Sequence, residues 1–323
     1  MVNVYVFRTD TTTPSGWTDV SSTYSGRFLL GNGTALSTGG ATQHTHALTG
    51  WSCSTYNMDR IRAYTYDSVA GNHNHAQGSY TISTVDHLPS YKDFRILRRD
   101  VSGWNNVIPS GSVVFSETIP QNWERLDNGS SYYLRISSTA GGTGGSPTHT
   151  HTISGTTGGP SATNGAYNWN DDYGASSTHT HAYNITTNTG SNEFYYWSCG
   201  LARATADTKI RKGFILLFDA TPNSTDWTVL TGANDRYLRV SSSNSIATGG
   251  SNCTHNHSAS GNTGSCGTIG LGKGSGVIGQ CNNHVHAISA TFDSQTPTLS
   301  YVRLIVAQAA HEYGSRAVYV ITC

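Results

Sequence analysis

Charge is what this sequence has least of. Only 12% of its 323 residues are Asp, Glu, Lys or Arg, and 19 basic side chains cancel 19 acidic ones. No Lys/Arg cluster occurs, and a chain without a basic surface has nothing with which to neutralise phosphates, so no nucleic-acid partner is expected. Long apolar runs are missing as well. Without a stretch of about 18 apolar residues, no membrane-spanning helix is expected. The opening segment, MVNVYVFRTD, lacks the basic start and apolar run of a signal peptide. The chain is therefore expected to be processed, or to leave the cell by another route such as virion assembly followed by lysis. Sustained 3.6-residue periodicity is absent, which predicts little helix. What remains is rich in Gly, Ser, Thr, Asn and Tyr, the profile of a β-rich extracellular or virion protein rather than of a highly charged disordered one.

Against that background the histidines stand out. Twelve of the 14 form six H-x-H pairs: His44 and His46, His73 and His75, His149 and His151, His179 and His181, His255 and His257, and His284 and His286. Only His87 and His311 stand alone. The pairs belong to a longer pattern that occurs three times. Trp17, Trp123 and Trp227 each precede an aromatic-aliphatic strand, then Gly-Gly, then an H-x-H pair. The first histidine follows the Trp by 27, 26 and 28 residues, and the second pair follows the first by 29, 30 and 29. Short β-branched runs precede each Trp, and turn residues recur every 8–12 positions. The expected fold is all-β: three tandem β-rich repeats (1–108, 109–211 and 212–310) packed as a single-chain pseudo-trimer with long loops, followed by an extra strand at 311–323. The end of that segment, AVYVITC at 317–323, resembles the strands that open each repeat, with Tyr5, Val114, Leu216 and Tyr319 aligned. Two uses compete for it: donation to a neighbouring copy, which builds a head-to-tail filament, or pairing back onto residues 3–7.

In an extended strand residues i and i+2 point to the same side, so each pair presents two imidazoles to a common centre. Imidazole is a ligand for Zn, Cu, Fe and Ni. Two arrangements compete. Threefold closure would gather His44, His46, His149, His151, His255 and His257 in one layer and His73, His75, His179, His181, His284 and His286 in a second. Each layer would be octahedral, suiting Fe(II), Ni(II) or Co(II). Convergence of the two pairs within a repeat would instead give three four-histidine sites suited to zinc. The first is favoured, since three repeats with two registers explain it directly. Either site is coordinatively closed, and no carboxylate stands at fixed spacing as a general base, so a structural staple is expected and not an enzyme. His87 and His311 are expected outside the metal set. Among six unevenly spread cysteines, Cys253, Cys266 and Cys281 flank the last pairs. A Cys253–Cys281 or Cys266–Cys281 disulfide competes with buried free thiols.

The run of Trp, a short strand (RFLLG or RYLRV), TGG and HTHT resembles the phage tail-collar and tail-fibre tip family over about a third of the chain. In that family H-x-H motifs from three chains enclose octahedrally bound iron, and the tip contacts the host receptor. The resemblance implies a metal role for the twelve paired histidines, with Fe(II) as the ion ahead of Zn or Ni. This chain departs from the family in carrying three copies itself. The leading expectation is therefore a metal-stabilised structural subunit of an extracellular or virion fibre or filament, with copies of itself as partners. The alternative is a tip that binds a receptor or glycan through aromatics such as YNWNDDYG from Tyr167 and EFYYW from Glu193, which β-core packing would otherwise claim.

Overall fold

A computed structural model describes residues 2–55, 61–63, 66–68, 74–100, 105–126, 131–160, 180–241, 245–265, 270–271, 279–280 and 285–312. The fold is all-β, and among the described residues the only helical element is the single turn Thr231–Ala233. Three short strands, Asn3–Arg8, Ser112–Ser116 and Phe214–Phe218, meet around one centre. Each pairs antiparallel with both of the others: Phe7 opposite Val113, Phe115 opposite Ile215, and Leu217 opposite Tyr5. Buried on both faces, these strands read as unbroken apolar runs rather than alternating ones.

Every pairing around this triangle recurs three times in the same register. On its other side each central strand runs antiparallel to a strand of its own third of the chain. Phe7 faces Ile96 in Tyr91–Asp100, Phe115 faces Leu201 in Leu201–Ala204, and Leu217 faces Val306 in Tyr301–Ala309. These registers make Val6, Val114 and Leu216 equivalent, and all three face one core cluster. Tyr5 faces the other cluster with Val113 and Ile215. The alignment through Tyr5 is thus one residue out, and such a slip turns every side chain of a strand to its opposite face. Both edges of Asn3–Arg8 are occupied, so a strand returning to residues 3–7 finds no free edge there. Residues 313–323 lie outside the described residues.

A second set of pairings ties each third of the chain to the next. The strands Phe28–Gly31, Tyr132–Ile136 and Tyr237–Val240 each lie parallel to a strand of another third: Phe28 beside Tyr301, Tyr133 beside Tyr91, and Tyr237 beside Tyr196. The exchange closes on itself, so the thirds interlock and share one core. Phe115, wholly buried, packs edge-on to Phe7 and Trp197 with ring centroids 5.9 and 5.3 Å apart. Each such side chain contributes about 1.5–3 kcal/mol.

The Gly-Gly step that precedes each first histidine pair has a physical cause. Gly40, Gly145 and Gly250 have φ of 73°, 75° and 77°. A Cβ on them would lie 1.9–2.0 Å from the carbonyl oxygens of Leu299, Pro89 and Phe194 in the adjoining third. Only glycine fits a left-handed backbone pressed against a neighbouring main chain. Beyond this step the chain enters two three-stranded sheets, one formed by His75–Ile82, Thr152–Pro160 and Ala182–Thr186, the other by Leu48–Cys53, Ala287–Phe292 and Ser258–Asn262. Their core is small, with Ile153, Ile185, Ile288 and Phe292 its largest aliphatic and phenyl members. The histidine-bearing end therefore has much less apolar burial than the ring to hold it together.

Candidate metal centre

The first histidine of each leading pair is held on a short ladder. His44 lies opposite Val85, His149 opposite Gly190, and His255 opposite Gln295. The three ladders bring three H-x-H pairs together. His44, His46, His149, His255 and His257 have ligand nitrogens within 4.8 Å of one another. The sixth ring, His151, has its Nε2 3.3 Å from that of His44. Other Nε2 separations are 3.1 Å between His44 and His255 and 3.3 Å between His149 and His257. The rings stand edge to face, centroids 4.7–5.3 Å apart.

The opposite nitrogens explain this orientation. Nδ1 of His46, His151 and His257 faces the carbonyl oxygens of Asp293, Ser83 and Asn188 at 2.7–2.8 Å, each carbonyl coming from another third of the chain. His149 Nδ1 faces Asn192 Oδ1 at 2.7 Å, and His255 Nδ1 faces the Cys253 carbonyl at 2.8 Å. An acceptor there fixes the proton on Nδ1 and leaves the Nε2 lone pair aimed at the centre. Burial is the main cause that lowers the pKa of His44 to about 2 and of His149 and His257 to about 4, with neighbouring imidazoles adding to it. His151 and His255 are lowered for the same reasons. Near neutral pH these rings are uncharged and able to ligate. Buried lone pairs pressed together at 3.1–3.3 Å repel unless a cation lies between them, so the donor set fits a metal ion.

A second group is separate from the first. His75, His181 and His286 are buried, with centroids 4.8–4.9 Å apart and all three pairs of ring planes at 79°. Their Nδ1 atoms face the carbonyls of Gly158, Gly264 and Ser54 at 2.8–2.9 Å. The other three members expected in this layer, His73, His179 and His284, lie outside the described residues. His75 groups with His181 and His286 rather than with His44 and His46. The alternative of four-histidine sites, each within one repeat, is therefore not what the fold builds. The strand exchange sets equivalent residues from different thirds side by side, and the two pairs of one third stand in different layers.

His311 is apart from both groups, its Nε2 3.0 Å from Asp226 Oδ1. His87 is not apart. It is 1% exposed, with its ring centroid 5.1 Å from that of His44. The sequence held a signal for it: His87 follows His44 by the same 43 residues by which Asn192 follows His149. Cys53 and Cys253 are free thiols. Cys253 Sγ donates to the Ser191 carbonyl at 2.9 Å, and burial pushes its pKa up to about 12. Cys253 thus takes no part in the expected Cys253–Cys281 bridge, while Cys266 and Cys281 lie outside the described residues. Of the aromatic candidates, Phe194 and Trp197 are core residues and Tyr195 is 45% exposed, while the segment from Tyr167 lies outside the described residues. No protein-family model, curated protein or solved structure matches the chain.

Proposed function

We propose that the chain is a structural protein, a fibre or filament subunit whose histidine-bearing end is stapled by metal ions on the pseudo-threefold axis. The observation that carries this is the convergence of six Nε2 atoms whose opposite nitrogens are, in five cases, already engaged. Adjacent donors of an octahedron are separated by √2 times the metal–donor distance. Edges of 3.1–3.3 Å thus correspond to a metal–nitrogen distance of about 2.2–2.3 Å, slightly longer than the ~2.0–2.1 Å of four-coordinate zinc, as a higher coordination number requires. Six nitrogen donors favour Fe(II) or Ni(II) over zinc. Such a shell leaves no position for substrate, which supports a staple rather than a catalyst. The metal replaces the apolar burial that the Gly/Ser/Thr-rich end lacks.

Assembly follows from the same reading. Each central strand position is filled by the chain's own residues, so the segment 317–323 has no place in its own triangle. The outer strands Thr18–Asp19, Trp123–Arg125 and Trp227–Val229 lie at the margin of the large sheet, paired with Tyr91–Asp100, Leu201–Ala204 and Tyr301–Ala309. They offer a neighbouring copy an edge for head-to-tail strand addition. The test is removal and return of the metal. A chelator should lower the melting temperature and Fe(II) or Ni(II) should restore it, the bound ion adding about 4 kcal/mol of stability at a thousandfold excess over Kd. A chain stripped of metal that melts where the native chain does refutes the staple.

A further inference from the structure

We infer that His87 is a positioning residue for His44, accepting the Nδ1 hydrogen of that ring; the inference rests on the six-histidine layer being a metal site. Five of the six rings in that layer have an acceptor at Nδ1. His44 alone has none, and its Nδ1 is buried. Beside it lies His87, buried, with the main-chain carbonyls of Ala41 and Thr298 near its ring and neither ring nitrogen at full hydrogen-bond geometry. Carbonyls take a ring N–H and leave the other His87 nitrogen to accept, and the buried His44 Nδ1 beside it is costly without an acceptor.

The geometry suits that bond. A ring nitrogen lies about 1.1 Å from its imidazole's centre, so two rings joined by one N–H···N bond of about 2.9 Å have centroids roughly 5.1 Å apart. The His44 and His87 centroids are 5.1 Å apart, with ring planes at 74°. A half-turn of the His87 ring about its Cβ–Cγ bond exchanges nitrogen and carbon positions and leaves the centroid in place. The backbone places the ring: His87 N–H donates to the Thr42 carbonyl at 3.0 Å, and Asp86 pairs with Gln43. Phe194 closes the other side, 5.9 Å away.

Comparison among the thirds gives the same answer. The position that His87 occupies is taken by Asn192 in the second third, where it bonds His149 Nδ1. In the last third Pro297 stands there, with nothing to offer a neighbouring imidazole, and His255 turns instead to the carbonyl of Cys253. Each leading histidine thus has its own solution, and His87 supplies the one otherwise missing. Outer partners of this kind orient the ligand and raise its basicity.

The test compares His87→Phe, which keeps a buried ring but has no acceptor, with His87→Asn, which offers the group that serves His149. The readout is the rate at which excess chelator removes the first-layer metal, identified as the metal that His149→Ala lacks. His87→Phe is expected to release it about 10–100-fold faster, while His87→Asn stays within about threefold of the native chain. Equal rates in native and His87→Phe chains overturn the inference, and so does equal impairment of the two variants at unchanged melting temperature. A native chain that carries no first-layer metal defeats the staple instead. In that case imidazole NMR of the metal-free chain decides for His87: a slowly exchanging His44 Nδ1 proton, present in native and His87→Asn and lost in His87→Phe, supports the bond, and its absence from the native chain overturns it.

Discussion

One methyl group at Gly190 should be enough to spoil the first histidine layer. Gly190 lies opposite His149 in the ladder that presents it. A Cβ there would stand 2.8 Å from His255 Cδ2, 2.8 Å from His257 Cε1 and 2.9 Å from His149 Cε1. Non-bonded carbons rest at about 3.5–4.0 Å, so each ring must retreat by roughly 0.6–1.2 Å. The rings are not free to do so, because hydrogen bonds at Nδ1 fix all three. Metal sites tolerate errors of only about 0.2 Å in ligand distance. Gly190→Ala is therefore expected to cost about 1–3 kcal/mol in overpacking and to weaken first-layer metal binding by about 10–100-fold. Competition against a calibrated chelator and thermal melts with and without metal measure the two effects. Gly159→Ala is the control: its Cβ meets open space and should change stability by less than about 0.5 kcal/mol. A Gly190→Ala chain with native affinity and native melting temperature would refute the packing argument.

His149→Ala should lose the first-layer metal and keep the group of His75, His181 and His286, which elemental analysis of the variant checks. Acid should destabilise the metal-free chain. His149 and His257 are lowered to about 4, chiefly by burial, while an unfolded histidine titrates near 6.5, so the unfolded chain takes up protons first. Stability present above about pH 6.5 is lost progressively toward pH 4, by at most about 2 kcal/mol per ring at pH 5; denaturant midpoints that stay flat from pH 7 to 4.5 contradict this. Phe115→Ala, in the shared core of the ring, should cost about 3–5 kcal/mol in equilibrium unfolding. Its effect should fall on the whole chain, since the thirds interlock.

The central strands and the H-x-H pairs were legible because their signals are local. Apolar runs such as FILLF and SVVF mark buried strands, and a period of two sets paired imidazoles on one side. Spacing also pointed to the grouping of His44, His46, His149, His255 and His257, and of His75, His181 and His286. Three things were hidden. The one-residue slip through Tyr5 arose because strands buried on both faces lack the alternation that fixes register. The parallel exchange between thirds depends on contacts far apart in the chain, such as Phe28 with Tyr301, which no local pattern encodes. The supporting shell was invisible for a different reason: four of the five Nδ1 acceptors are backbone carbonyls, and any residue type carries one. Asn192 is the exception, and it and His87 come into view only when the thirds are superposed.

X-ray absorption of the purified, metal-loaded chain, read with its metal content, tests the central claim most directly. The account predicts one ion per layer, about two per chain, with the first-layer ion in a shell of six nitrogens at about 2.2 Å. A chain purified without bound metal, or one whose ions sit in four-nitrogen shells at about 2.0 Å, would contradict it.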